Sequence, residues 1–155
     1  MPTNENLTNA KIPIDDRGFS MSAYLKLYAA VVPAFFAIDM LWLGVIADDF
    51  YRRRLGHLLS ADVLWPAALA FYLIYIAGIL LFAVVPGLRA ASLRKTLLLA
   101  AGFGFFTYST YELTNMATLP DWPISIVVVD ILWGIVLCTT TAAAGFAIGR
   151  SLFRG

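Results

Sequence analysis

The sequence predicts an all-α fold: an up-and-down four-helix transmembrane bundle with a short amphipathic interfacial segment after the first span. Three observations lead to this prediction. The 155 residues are 61% hydrophobic and only 14% charged. The mean hydropathy of +0.79 is too high for a soluble domain of this size, which still needs a wetted surface. The apolar residues also gather in four long runs, separated by segments that hold most of the charges.

The four runs predict spans at about residues 24–46, 64–85, 96–117 and 124–148. Each run has 22 to 25 residues, roughly 33–37 Å of helix, which crosses a hydrocarbon core of about 30 Å with some tilt. Residues 1–23 are polar and do not resemble a cleaved signal peptide, so we expect a disordered cytoplasmic tail. Residues 149–155 form a short basic C-terminal tail.

Basic residues near the span ends predict the orientation. Eight lie on the side of the two tails: Lys11, Arg17, Lys26, Arg89, Arg94, Lys95, Arg150 and Arg154. Three lie on the opposite side: Arg52, Arg53 and Arg54. Because positive residues concentrate on the cytoplasmic side of a membrane, we expect both termini to face the cytoplasm.

Three acids lie inside the predicted spans, namely Asp39, Glu112 and Asp130. Helices that alternate in direction bring all three to roughly 7–11 Å below the outer boundary. The stretches "IDMLWLGVI" and "VDILWGIVL" resemble each other, each with a Trp three residues after its Asp. A carboxyl in lipid costs several kcal/mol, roughly 3 or more. The shared depth therefore predicts one polar site in the outer half of the bundle.

Helical spacing adds polar neighbours to this predicted pocket. Tyr108, Glu112 and Asn115 fall at positions i, i+4 and i+7, on one face of a helix. The other predicted pocket residues are Tyr111, Tyr72, Tyr75, Trp42 and Trp133. The site would thus combine carboxyls, phenols, an amide and indoles.

No Lys, Arg or His lies deep in a predicted span to balance the three carboxyls. We therefore expect at least one carboxyl to be protonated or to pair with a bound cation. Glu112 is the predicted proton-exchanging member because Tyr108, Tyr111 and Asn115 surround it. Asp39 and Asp130 lie in more apolar runs.

The loop after the first span carries an amphipathic stripe of Tyr51, Leu55, Leu58 and Leu59. The residues of a possible lid over the acids are Arg52, Arg53, Arg54 and His57. The alternative, which the sequence slightly favours, is that this segment rests on lipid headgroups.

Several familiar sites do not occur in the sequence. There is no phosphate-binding loop, no HExxH metal motif and no GxSxG serine motif. One His and one Cys cannot build an ordinary zinc site, so we expect no metal and no cofactor. A hard cation held by oxygens of Asp39, Glu112, Asp130 and Asn115 remains chemically open. The net charge of +1 gives no reason to expect a nucleic-acid partner.

The segments "DMLWLGVIADDFYRRRLGHLL", "WPAALAFYLIYIAG", "TYELTNMATLPDWP" and "VDILWG" resemble the bacterial membrane proteins grouped as domain of unknown function 2177. The likeness covers roughly residues 24–148. It implies a small multi-span protein of the inner membrane and carries over no catalytic residue. Glu112 stands where that family would have Asp in a Tyr-acid-Leu-Thr-Asn motif, so the acid is kept.

Three functions stay open, and the sequence favours a role other than catalysis. The pocket could bind or relay a proton, a cation, or a small amine-bearing or lipid-like ligand. A carboxyl could instead serve as general acid or base in an intramembrane enzyme acting on a lipid-like substrate. The third reading is a structural or assembly subunit whose protonated acids only fasten helices together. The lipid bilayer is the expected partner, and a second copy or another membrane protein is a further candidate.

Overall fold

The computed structural model describes residues 14–15, 18–58 and 62–153. The chain begins with a two-residue antiparallel pair, β1 (Ile14–Asp15) and β2 (Gly18–Phe19). All other elements are helical: α1 (Met21–Leu41), α2 (Asp48–Leu55), α3 (Trp65–Ile79), α4 (Val85–Arg89), α5 (Leu93–Thr118) and α6 (Ile124–Leu152). The predicted all-α class is confirmed, with the small strand pair as an addition before the first span.

Within the described part of the chain, three helical stretches are long and apolar enough to cross a membrane: Met21–Ile46, Trp65–Arg89 and Ile124–Leu152. α5 has 26 residues and is long enough, but it does not reach the same apolarity. The reason lies in its second half, where Thr, Tyr, Ser, Glu and Asn follow an apolar first half. The chain is a multi-pass membrane protein.

The four apolar runs lie within the helices apart from Leu64, and most helices extend beyond the runs. α1 begins at Met21 after an N-cap from Ser20, whose side chain accepts a hydrogen bond from the Ala23 amide at 3.2 Å. The last three residues of the predicted 1–23 tail are therefore helical. Residues 1–13, 16 and 17 of that tail lie outside the described residues. The predicted C-terminal tail is helical up to Leu152, and residues 154–155 lie outside the described part.

Two of the long helices contain a π-helical segment. Trp42–Ile46 continues α1, and Leu80–Val84 joins α3 to α4. Pro86 explains the second segment, because its ring lacks an amide donor and crowds the carbonyl four residues earlier. Wider π turns relieve that crowding. Single π turns of this kind are common next to functional sites, and the first one begins three residues after Asp39.

α5 and α6 form the most extensive helix pair of the described bundle. Glycines make the close approach possible, since a Cβ atom on Gly104 would overlap the backbone carbonyl of Gly134. A Cβ atom on Gly134 would in turn meet the ring of Tyr108. These two glycines therefore set the position of Tyr108 in the bundle.

α1 is fastened to α3 by tyrosines. The Tyr24 hydroxyl donates to the Ala77 carbonyl at 2.8 Å, and the Tyr28 hydroxyl donates to the Leu73 carbonyl at 2.9 Å. By contrast, α3 has few close backbone approaches to α5, and contact with α5 becomes extensive only along Leu80–Val84. α3 thus packs more closely against α1 than against α5, which leaves space between α3 and α5.

A candidate acidic pocket between helices α3, α5 and α6

Glu112 and Asp130 meet where α5 packs on α6. Glu112 is completely buried, and its Oε2 accepts a hydrogen bond from Trp122 Nε1 at 2.9 Å. The Asp130 carboxyl is half-buried and lies next to that of Glu112. Glu112 Oε1 nevertheless makes no hydrogen bond of normal geometry in the described structure. Two carboxyls side by side, one with an unsatisfied buried oxygen, form the polar centre of this region.

Tyr51 of α2 reaches this centre from outside the bundle. Its hydroxyl donates to Asp130 Oδ1 and accepts from Trp42 Nε1 at 3.2 Å. Burial raises the pKa of Tyr51, and the hydrogen bond to Asp130 raises it further. The phenol therefore stays neutral and keeps its proton as a donor throughout the physiological pH range.

The two similar Asp-Trp stretches converge at a pair of indoles. Trp42 and Trp133 stack face to face, with ring centroids 4.4 Å apart and planes 8° from parallel. Trp42 connects to Asp130 through Tyr51, and Trp133 borders the carboxyl of Asp39. The buried Trp133 Nε1 makes no hydrogen bond of normal geometry, however.

Asp39 occupies a closed position behind the indoles. Only 4% of its surface is exposed, and its Oδ2 accepts a hydrogen bond from the Tyr72 hydroxyl at 3.0 Å. Tyr72 itself packs edge-on against Phe35, at 5.9 Å between ring centroids. The predicted pocket is thus divided: Glu112 and Asp130 are direct neighbours, and Asp39 lies beyond the indole pair.

A cavity of about 510 Å³ opens beside Asp130. The residues that line it are Phe71, Tyr75, Thr107, Tyr108, Tyr111 and Asp130. Asp130 is the carboxylic acid among them, whereas Asp39 and Glu112 lie behind the wall. Phe71 on α3 and Tyr111 on α5 are 51% and 60% exposed, so they mark a mouth between these two helices.

Tyr75 and Thr107 link the two sides of the cavity at one end. The Tyr75 hydroxyl lies 2.9 Å from Thr107 Oγ1 and 3.1 Å from the Sγ of Cys138. Tyr108 lines the cavity next to them, and its hydroxyl makes no hydrogen bond within the described chain. Of these two phenols in the cavity lining, Tyr75 is therefore already hydrogen-bonded, whereas Tyr108 has no hydrogen-bond partner among the described residues.

The predicted arginine lid does not cover the acids. Arg52 pairs with Asp48 at 2.8 Å and Arg53 approaches Asp49 at 4.0 Å, both at i, i+4 spacing along the exposed face of α2. Arg54 Nε donates to Ser125 Oγ at 2.6 Å, and His57 is exposed. Because neighbouring acids on their own helix hold two of the arginines, Tyr51 is the residue of α2 that contacts the site.

The remaining predicted site residues lie at the margin. Tyr111 is exposed at the mouth, with its ring edge-on to Trp122 at 6.4 Å. Asn115 is half-buried, and its side chain makes no hydrogen bond to the three acids. Within the described ranges, His, Cys, Asp and Glu side chains form no group of three that could hold a metal ion. The four-oxygen cation site left open by the sequence is therefore not assembled.

Several residues of this region carried no site prediction. The sequence places Tyr51 on the apolar stripe of the loop, and it gives Trp122 no role in the site. Phe71 and Thr107 directly precede the predicted residues Tyr72 and Tyr108, and Cys138 lies five residues after Trp133, but polarity and spacing do not single them out. A sequence signal for Tyr51 was present, since a Tyr in place of Leu begins an otherwise leucine-rich stripe.

Comparison with known families identifies one match, described as "Predicted membrane protein (DUF2177)", over residues 24–147. The match includes all helices that build the candidate pocket. Neither the comparison with curated proteins nor that with solved structures gives a significant match. The resemblance inferred from the motifs is thereby confirmed, and the chain belongs to the DUF2177 family of predicted membrane proteins.

Proposed function

We propose that the protein spans the inner membrane four times, with both termini in the cytoplasm, and uses its outer-half pocket to bind or relay a small ligand. The ligand classes are a proton, a cation, or an amine-bearing or lipid-like molecule. The observation that carries the proposal is the cavity of about 510 Å³ with the carboxyl of Asp130 in its wall. Ligand pockets typically have volumes of about 300–1,000 Å³ and combine apolar walls with few polar groups.

In this proposal α5 also crosses the membrane, in addition to the three more apolar stretches. Its 26 residues give roughly 39 Å of helix, which is enough to cross the bilayer. Its buried acid, Glu112, faces the protein interior, so the charge of the helix is hidden from lipid although Thr110, Tyr111 and Thr114 are exposed. Intramembrane acids that face a bundle interior or cavity commonly mark functional sites.

The orientation follows from the eight basic residues on the tail side and the three on α2. In this arrangement α2 lies at the outer surface as the amphipathic interfacial segment. Its arginines are exposed and Leu55 is buried, which suits a helix at the boundary between protein and headgroups. Reporter fusions at residue 155 and within residues 56–58 test the topology. A cytoplasmic signal from residues 56–58 contradicts it.

The mouth between Phe71 and Tyr111 faces sideways. Phe71 is six residues after the start of α3, and Tyr111 is seven residues before the end of α5. Both therefore lie roughly 9–11 Å below the outer ends of their helices. A ligand can reach Asp130 from the outer leaflet through this opening.

The proposal is tested by reducing the cavity without changing the rest of α5. Thr107→Trp places an indole in the cavity, and Thr110→Trp is the matched control. Both threonine hydroxyls donate to the carbonyl four residues earlier at 2.7 Å, but Thr110 is exposed on the outside. Native mass spectrometry should find a co-purifying molecule on the wild type and on Thr110→Trp, and lose it from Thr107→Trp. Equal occupancy of all three proteins contradicts the pocket.

An intramembrane enzyme is the second candidate. The lateral mouth and the neighbouring carboxyls of Glu112 and Asp130 favour it, because a carboxyl pair can act as acid and base on a lipid entering sideways. The two candidate functions differ in whether the lipid is chemically converted. Lipid mass spectrometry after incubation with liposomes distinguishes them: a binding protein leaves the lipid unchanged, whereas an enzyme produces a product that Asp130→Asn does not.

A further inference from the structure

The walls of the cavity are aromatic as well as acidic. Four of its six lining residues are Phe71, Tyr75, Tyr108 and Tyr111. Three of the rings contact one another: Phe71 and Tyr75 are tilted at 5.4 Å between centroids, and Tyr75 and Tyr108 meet edge-on at 6.2 Å. Tyr111 and the carboxyl of Asp130 complete the lining of the cavity.

The charge of the site lacks a cationic partner inside the bundle. Among the described residues, Lys26, Arg89, Arg94, Lys95 and Arg150 lie near the opposite ends of the spans. The three arginines of α2 are held by Asp48, Asp49 and Ser125. The Asp130 hydrogen bond comes from a neutral phenol. A positive group brought by a ligand would therefore meet the Asp130 carboxyl without competition from a cationic side chain.

The donor set separates organic cations from metal ions. Ca²⁺ takes six to eight oxygen ligands and Mg²⁺ takes six in a strict octahedron. The cavity offers one carboxyl and a few hydroxyls, and the Tyr75 hydroxyl is already bonded to Thr107 and Cys138. Rings around a carboxyl instead suit an alkylammonium group, because cation–π attraction and an ion pair act together.

Resting on the proposed binding function, we infer that the ligand is a membrane amphiphile with an ammonium headgroup. The headgroup pairs with Asp130 and lies among the four aromatic rings, and the Tyr108 hydroxyl accepts one of its hydrogen bonds. The apolar chain leaves the cavity between Phe71 and Tyr111 and continues into the outer leaflet. The lateral position of the mouth favours a lipid-like source over a water-soluble amine.

The test compares ligands that differ only in the headgroup or chain. The full-length protein in an uncharged detergent is titrated with dodecylamine, dodecanol and butylamine at pH 7, with binding measured by native mass spectrometry. Dodecylamine should bind about tenfold or more tightly than dodecanol, because the alcohol lacks the charge. Butylamine should bind weakly, because its chain is too short to extend through the mouth and bury apolar surface outside the cavity. Butylamine binding as tight as that of dodecylamine contradicts the membrane source.

Two variant pairs locate the binding. Asp130→Asn should remove the preference for amine over alcohol, whereas Asp49→Asn, an exposed acid of α2, should keep it. Tyr111→Leu should weaken amine binding several-fold more than alcohol binding, and Tyr111→Phe should retain it, because only the ring is required. Tyr111 is exposed, so this pair is expected to fold even if Asp130→Asn does not.

The outcomes separate this inference from the broader proposal. Equal affinity of wild type for dodecylamine and dodecanol, with both reduced by Thr107→Trp, overturns the ammonium headgroup and leaves a ligand pocket. An amine preference that survives both Asp130→Asn and Tyr111→Leu places the amine elsewhere and overturns the inference as well. Failure of both amphiphiles to bind, with no co-purifying molecule on the wild type, contradicts the binding function itself.

Discussion

Asp39 and Asp130 occupy similar sequence contexts but different surroundings. Asp39 is 4% exposed, accepts a hydrogen bond from Tyr72 of α3 and lies beside the indole of Trp133. Asp130 is bonded to Tyr51 of α2 and borders a cavity of about 510 Å³. The Asp-Trp pattern is shared, so the difference comes from α3, which closes over one carboxyl and stands away from α5 beside the other.

The comparison suggests different roles for the two carboxyls. A buried carboxyl with a hydrogen-bond partner on the adjacent helix fastens helices, as expected of the structural alternative. A carboxyl in a cavity wall can meet a ligand. We therefore propose that Asp39 fastens helices and that Asp130 serves ligand binding, so that the two interpretations concern different acids of one bundle.

The largest effect is expected from disturbing the cavity wall itself. Gly134→Ala should destabilise the protein by about 3 kcal/mol, because the added methyl group overlaps the ring of Tyr108. Displacing Tyr108 should also abolish ligand retention. Gly102→Ala on α5 is the control, since nothing lies within 4 Å of its Cβ position. Unfolding titrations in mixed micelles measure both, and equal stability of the two variants contradicts the close α5–α6 packing.

Removing one hydroxyl from each carboxyl's partner compares the closed and open sites directly. Tyr72→Phe should cost about 2 kcal/mol, because it leaves the buried Asp39 carboxyl without its donor. Tyr51→Phe should cost about 1 kcal/mol, because water in the cavity can replace the lost bond to Asp130. The same unfolding titration applies. A larger loss for Tyr51→Phe would reverse the distinction between the two sites.

Glu112 lies next to Asp130 and is the acid predicted to exchange a proton. Glu112→Gln should change stability by less than about 1 kcal/mol, because the amide keeps the shape and an acceptor for Trp122. It should nevertheless reduce ligand binding, since one member of the carboxyl pair is lost. Glu112→Leu should cost about 2 kcal/mol by leaving the Trp122 donor unsatisfied. Thermal melts and the dodecylamine titration test both variants, and unchanged binding by Glu112→Gln removes its proposed role.

The smallest effect is expected on the exposed face of α2. Arg52→Gln breaks the ion pair with Asp48, but both side chains are largely solvent-exposed. The melting temperature should shift by less than about 2 °C. Tyr51→Phe on the same helix should shift it more. If Arg52→Gln has the greater effect, the arginines hold α2 in place after all.

The positions of the helices could be predicted from the sequence, because each long apolar run corresponds to one helical stretch. The predicted span at 24–46 lies within Met21–Ile46, and the one at 124–148 lies within Ile124–Leu152. The burial of the intramembrane acids could also be predicted, because exposing a carboxyl to lipid is energetically unfavourable. Asp39 and Glu112 are buried as that argument expects, and Asp130 is half-buried.

The side chains that contact the acids were harder to predict from the sequence, because they depend on the relative tilt and rotation of the helices. Arg52 and Arg53 were candidates for the lid on charge alone, but acids at i−4 on the same helix compete for them. Tyr51 contacts Asp130 across 79 residues of sequence, and no local pattern encodes that distance. The cavity arises where α3 and α5 diverge, which is a property of packing rather than of periodicity.

The π-helical segment Trp42–Ile46 has a consequence for the chain's tolerance of length changes. A π turn holds about one residue more than an α turn, so deleting one residue here should restore a regular α-helix and leave the orientation of the following segment nearly unchanged. The same deletion within the regular helix Met21–Leu41 would instead rotate everything that follows by roughly 100° about the helix axis and shorten it by about 1.5 Å. Tyr51 would then point away from Asp130. The π-helical segment is therefore the part of the first span in which the chain should tolerate the loss of one residue.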